Sequence, residues 1–313
     1  MRYRLVTRSD FDGLVCAVLL RQLDLIDDIL FVHPKDVQDG LVEVTDRDIL
    51  TNLPYAPAAH LVFDHHHSES LRTGGTAENH VIITSAPSAA RVVFDHYGGA
   101  ERFPGISADL MRAVDQADSA QYELDDVLHP TGWTLLNFLM DSRTGLGRFR
   151  EFRISNYALM MQLIEWCAVH QDVDEILALP DVAERAELFR AQEELFVAQL
   201  RRVTTVHGDV AVVDLRGEET IHAGNRFMVY ALFPETRVSV HVLQGKQNQN
   251  TVLAIGKSIL DRTSPVDVGA VALAWGGGGH VAAGTCQVSH DEAETALAQV
   301  VEAVRGDREP VGV

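Results

Sequence analysis

The sequence predicts an α/β protein with a mostly parallel N-terminal sheet and flanking helices, a helical connector and a smaller C-terminal α/β domain. Three observations predict it. Short apolar runs alternate with helical periodicity through the first half of the chain, as in strand-helix-strand units. Two of those runs break off abruptly into Asp and His side chains. After His207 and Gly208 the pattern changes to closely spaced strand-like segments.

The first unit is RYRLVTRSDFDG followed by LVCAVLLRQLDLI, an apolar strand, an acidic turn and a helix. DDILFVHP and AAHLVFDHHHSE supply further strands. APSAARVVFDHYGG reads as a helix, started by Pro87 and Ser88 and stopped by a glycine pair. Asn156 to Val203 is long and helical, through YALMMQLIEWCAVH, DEILALP and VAERAELFRAQEELFVAQLRRV. DVAVVDL, FMVYALF, RVSVHVLQ and NTVLAIGKS then read as strands, before a glycine-rich loop and the helix DEAETALAQVVEAV. The expected domains are therefore 1–155, 156–205 and 206–313, the middle one a connector that also offers a surface for a homodimer.

With 313 residues, 46% of them hydrophobic, the chain can bury a sizeable core. No apolar run reaches the ~18 to 20 residues that span a bilayer, and the start lacks a signal-peptide pattern, so a cytoplasmic protein without membrane contact is expected. The three cysteines are widely separated and suggest neither disulfides nor a cysteine zinc site. A net charge of −19, from 26 basic and 45 acidic residues, opposes binding to long duplex nucleic acid. A small phosphorylated ligand remains compatible, because a few local cations outweigh a distant negative surface.

The chemistry-bearing residues gather at expected strand ends, where parallel sheets place their ligands. Asp64-His65-His66-His67 follows the strand HLVF, and carboxylate with imidazole suits manganese, magnesium or zinc. Asp10-Phe11-Asp12-Gly13 brings a second acidic pair to another strand end. Asp115 and Asp118, three apart, share one face of a helix end. Gly276 to Gly279 precede His280 and an alanine-rich stretch read as a helix start, which is either an anion cradle or a flexible loop.

In this order, DxDG, Asp-His-His, an aspartate-bearing helix and a distant GGGH followed by AG, the chain resembles the DHH phosphoesterase superfamily with its associated C-terminal domain. SDFDG, NLPY, FDHHHSE, APSAARVV, DSAQY and GGGGH are similar to those of its exopolyphosphatase-related proteins. The resemblance implies that Asp10 and Asp12 ligate two different metal ions, that His65 and Asp118 complete the second, and that Asp64 supports the cluster. It implies that His66 contacts the scissile phosphate, while Gly277, Gly278, Gly279 and His280 hold the far end of the substrate. Arg262 is a further candidate for phosphate recognition.

Two departures stand out. Relatives carry a histidine shortly before the DxD pair, where this chain has Arg8, placed here among the catalytic candidates as a fixed cation. The bridging aspartate falls on Asn52, unless a different strand register brings in Asp46 or Asp48. The expected activity is metal-dependent phosphoester hydrolysis, with Mn2+ favoured over Mg2+ and a weak first metal site. The substrate would be polyphosphate, a nucleotide phosphate or a short oligonucleotide, held between two domains. The alternative is a non-catalytic phosphate or nucleotide binder with a degenerate metal site.

Overall fold

The structure, a computed structural model, describes residues 2–73 and 77–305, apart from the side chains of His67, Ser68 and Leu71. Two compact units emerge: Met1–Gln121 with Pro130–Leu188, and Tyr122–His129 with Phe189–Val313. Residues 306–313, at the end of the expected C-terminal domain, lie outside the described residues.

The first unit contains β1 (Tyr3–Thr7), α1 (Phe11–Gln22), β2 (Ile26–Phe31), α2 (Pro34–Gln38), β3 (Asp48–Thr51), β4 (Leu61–Asp64), α3 (His67–Thr73), β5 (His80–Ile82), α4 (Ala89–His96), α5 (Gly99–Arg102) and α6 (Ala108–Asp118). After α7 (Leu124–Leu128), which belongs to the second unit, it resumes with α8 (Gly132–Met140), α9 (Asn156–Cys167), α10 (Val173–Leu177) and the start of α11 (Pro180–Val203). Its five strands run in the order β2-β1-β3-β4-β5, every pairing parallel. Parallel strands covered on both faces read as continuous apolar runs, and Leu5, Val6, Ile49, Leu50, Val62 and Phe63 are all buried. α1 is buried from Phe11 to Leu20, which is why its sequence is apolar around most of its circumference. It packs on α4, α6 and α9, so α9, read from the sequence as connector, is part of this unit.

The strand order decides where a ligand can sit. The chain leaves β1 toward β2 on one side and returns as β3 on the other, so the carboxyl ends of β1 and β3 flank a topological switch point. The turns after β1, β3 and β4 carry Arg8 to Asp12, Asn52 and His65.

The second unit holds α7, most of α11, β6 (Thr204–His207), β7 (Val210–Asp214), α12 (Met228–Leu232), β8 (Val238–Gln244), β9 (Thr251–Lys257), α13 (Val268–Ala274), β10 (Gly278–His280), β11 (Ala283–Val288) and α14 (Ala293–Val304). Its sheet, in the order β10-β11-β9-β8-β7-β6, is antiparallel except for β7 with β8. One core joins Val210, Val238, Val240, Leu253 and Ile255 on the sheet to Val268 and Ala272 on α13 and to Ala296 and Val300 on α14.

Here the structure corrects the reading of the glycine run. His280 does not open a helix: Gly278 to His280 form edge strand β10, which turns at Val281 and Ala282 and pairs with β11. Close backbone approach explains Gly277 and Gly279. A Cβ at Gly277 would lie 2.2 Å from the Thr285 carbonyl oxygen, and one at Gly279, where φ is +159°, would lie 2.2 Å from that of Ala283.

Candidate metal centre

Three ligand-type atoms converge in the first unit, one each from Asp12, His65 and Asp118, all within 4.8 Å of one another. Asp12 arrives in the first turn of α1, His65 just past β4 and Asp118 as the last residue of α6. Asp12 is buried, and its two oxygens accept from the backbone N–H groups of Ala89 (3.1 Å) and Ala90 (2.8 Å) at the start of α4. Ser88 caps that helix and donates to Asp115, which also takes the Arg91 guanidinium. Asp115 therefore braces α4 against α6, and Asp118 alone of the two faces the cluster.

The tautomer of each histidine follows from its neighbour. His65 Nδ1 lies 3.2 Å from the Ala86 carbonyl oxygen, which can only accept, so Nδ1 carries a proton and Nε2 is the ring atom turned to the cluster. Nε2 lies 2.8 Å from Asp118 Oδ2, but no hydrogen bond of good geometry joins them. His66 Nδ1 is 2.6 Å from Asp64 Oδ1, which fixes the His66 ring. Asp64 is fully buried, and its other oxygen has no partner. The His67 side chain lies outside the described residues.

Electrostatics mark the cluster as short of positive charge. Burial and the nearby Asp118 push Asp12 well above the usual carboxylate range. Burial opposes charging His65, but the Asp118 carboxylate outweighs it and raises the ring to about 9. Burial would also raise Asp118, but His65 overrides it and holds that carboxyl low. A proton shared among close carboxylates and an imidazole occupies the role a metal cation fills better. An unaligned His65 Nε2, an unpartnered buried Asp64 oxygen and an O,O,N donor set all fit a divalent ion.

The other expected residues divide. Asp10 caps α1 by accepting from the Gly13 N–H and pairs with Arg8, whose Nε is 3.0 Å from Oδ2; it is not among the converging ligands. Asn52 stands past the end of β3 with φ +55°, buried, and neither polar atom of its side chain has a partner. Asp48 begins β3 at the opposite end of the sheet, where it pairs with Arg4, and Asp46 lies in the turn before it. The register thus leaves Asn52, not either aspartate, at the switch point. Arg262, Gly277, Gly278, Gly279 and His280 belong to the second unit, where Arg262 is exposed and donates Nε to the Ile259 carbonyl.

Sequence reasoning missed Arg143. Held by Asp141 just beyond α8, it is within electrostatic reach of Asp10 and Asp118. It follows no periodic pattern and no motif; four arginines between 143 and 153 in an acidic chain were the available signal.

Along 96% of its length this chain aligns with the whole of a pGpG-specific phosphodiesterase, PggH, from Vibrio cholerae, at 57% identity and a TM-score of 0.80. The chain belongs to the DHH phosphoesterase superfamily. It is a metal-dependent hydrolase of phosphoester bonds, as the order of its DxDG and Asp-His-His motifs implies. CDC45 from Entamoeba histolytica shares the fold at 9% identity and a TM-score of 0.51, covering 97% of this chain and 95% of that one. Exonuclease RecJ bound to manganese aligns at 17% identity and a TM-score of 0.49, covering 97% of this chain and 90% of that one. No protein-family model and no curated protein matches the chain. Among the described residues of this DHH protein, no helix is long and apolar enough to cross a membrane.

Proposed function

We propose that the chain hydrolyses a short, linear, 5′-phosphorylated dinucleotide of the pGpG type, with manganese as the working ion. The observation that carries this reading is the 57% identity, over 96% of the chain, to a phosphodiesterase specific for pGpG. The charge balance agrees: a net charge of −19 suits a short substrate better than a long strand.

A divalent ion held by Asp12, His65 and Asp118 would supply Lewis-acid polarisation of a phosphoryl oxygen and acidify a water. The residues around it do the rest. The α4 N-terminus orients Asp12, and the Ala86 carbonyl holds the His65 ring with Nε2 toward Asp118. Asp64 accepts the Nδ1 proton of His66 and so fixes the ring proposed to contact a phosphate oxygen. In the second unit, Arg262, Gly277, Gly278, Gly279 and His280 remain proposed phosphate contacts; the exposure of Gly278, Gly279 and His280 on an edge strand supports this.

The test is a product analysis with manganese and four substrates: pGpG, its unphosphorylated form GpG, the cyclic dinucleotide and a ten-nucleotide strand. Rapid conversion of pGpG to mononucleotide, with the cyclic and long substrates poor, is expected. Equal turnover of the long strand would overturn the dinucleotide assignment.

A further inference from the structure

We propose that this centre holds one divalent ion, not two, and that the guanidinium of Arg8 stands in the place of a second cation. The inference rests on the hydrolase reading above for its purpose, but its observations are separate. Converging ligand atoms come from Asp12, His65 and Asp118, and Asp10 is not one of them although it lies two residues from Asp12. Asp10 is already satisfied: one oxygen accepts from the Gly13 N–H at 3.0 Å and the other takes Arg8 Nε at 3.0 Å.

A second ion would need a further anionic ligand near Asp10. The position at the end of β3 that could furnish it holds Asn52, a neutral amide. Its side chain is 1% exposed, and neither its oxygen nor its nitrogen has a partner. An amide carries no negative charge and is a poor replacement for a bridging carboxylate between two cations. Asp48, the nearest carboxylate on that strand, is consumed by Arg4 at the other end.

Charge points the same way. Four carboxylates, of Asp10, Asp12, Asp64 and Asp118, face two guanidiniums, of Arg8 and Arg143. Arg8 is about one third exposed, so its fork reaches an incoming phosphate while Nε stays on Asp10. A fixed guanidinium needs no deprotonated ligands and stabilises developing phosphoryl charge through hydrogen bonds, as a metal does through coordination.

Manganese stoichiometry, measured without substrate by equilibrium dialysis and elemental analysis, decides the matter independently of which nucleotide is hydrolysed. One ion per chain is expected for the native protein, and one for Arg8→Lys. Removing the competing cation while adding a ligand, as Arg8→His with Asn52→Asp does, should raise the count to two. Arg8→Lys should retain manganese affinity within about threefold yet lose on the order of tenfold or more in kcat, because a point charge replaces a two-pronged donor. Two ions on the native protein would overturn the proposal, as would an Arg8→Lys variant with unchanged kcat. Failure to cleave pGpG would sink the substrate assignment and leave the ion count standing.

Discussion

His65 Nε2 and Asp118 Oδ2 stand 2.8 Å apart, each carried there by its own element. His65 is turned there by the Ala86 carbonyl, and Asp118 by its place as the last residue of α6. With an Asp12 oxygen they lie within 4.8 Å of one another, a donor set that fits one ion. Removing one of them should therefore cost metal before it costs fold. Asp118→Asn is expected to weaken manganese binding at least 100-fold in calorimetric titration, with the far-ultraviolet circular dichroism unchanged. Native affinity in that variant would remove Asp118 from the ligand set.

Asp64 works through His66. With the Asp64 carboxylate replaced by an amide, the ring faces a neutral, weaker acceptor in place of the charged one that fixes its Nδ1 proton. Asp64→Asn should lower kcat on the order of 10- to 100-fold while KM changes little, the pattern of a residue needed in the transition state. Steady-state kinetics on pGpG separate this from a binding role, in which KM would rise instead.

Gly13 sits where the chain turns from β1 into α1, and a Cβ there would come within 2.0 Å of the Arg8 carbonyl oxygen. Backbone cannot step aside as a flexible side chain can. Gly13→Ala should destabilise the first unit by about 1 to 3 kcal/mol, seen as a lower thermal midpoint, and should disturb the Arg8–Asp10 pair. A variant as stable as the native protein would mean that this turn relaxes freely.

Ser88 caps α4 and ties it to Asp115. Its loss should cost about 1 to 2 kcal/mol. Because α4 also aims the Ala89 and Ala90 N–H groups at Asp12, Ser88→Ala should weaken manganese binding as well. Stability loss with metal affinity unchanged would show that the cap and the metal centre are independent.

His241 lies on β8 of the second unit. Burial, reinforced by the Arg226 charge, pushes its pKa from 6.5 down to about 4. The unfolded chain therefore binds the proton more readily than the folded one. Stability present above about pH 6.5 is lost as pH falls through 4, by an amount on the order of 2 to 3 kcal/mol. Chemical denaturation of His241→Gln between pH 7 and pH 4 should show a shallower fall than the native protein; parallel curves would exclude His241 as the cause.

Much of this was legible in the sequence because it depends on local pattern. Alternating apolar runs and helical periods specify the parallel sheet, since strands covered on both faces must be apolar throughout and their helices must turn an apolar side inward. The abrupt change from LVF to Asp64-His65-His66, and from RLVT to Asp10-Phe11-Asp12, located the strand ends that carry the chemistry. Tertiary structure decided what local pattern cannot encode. Register placed Asn52 at the switch point and sent Asp48 to the other end of the sheet, because a strand's two ends look alike until its neighbours are known. Packing of α4 on α6 engaged Asp115 and left Asp118 facing Asp12 and His65, although both lie on the same helix end. Strand pairing made the run before His280 an edge strand, because glycines permit helix starts, loops and close-packed hairpins equally, and only the Thr285 and Ala283 carbonyls pressed against them select among the three.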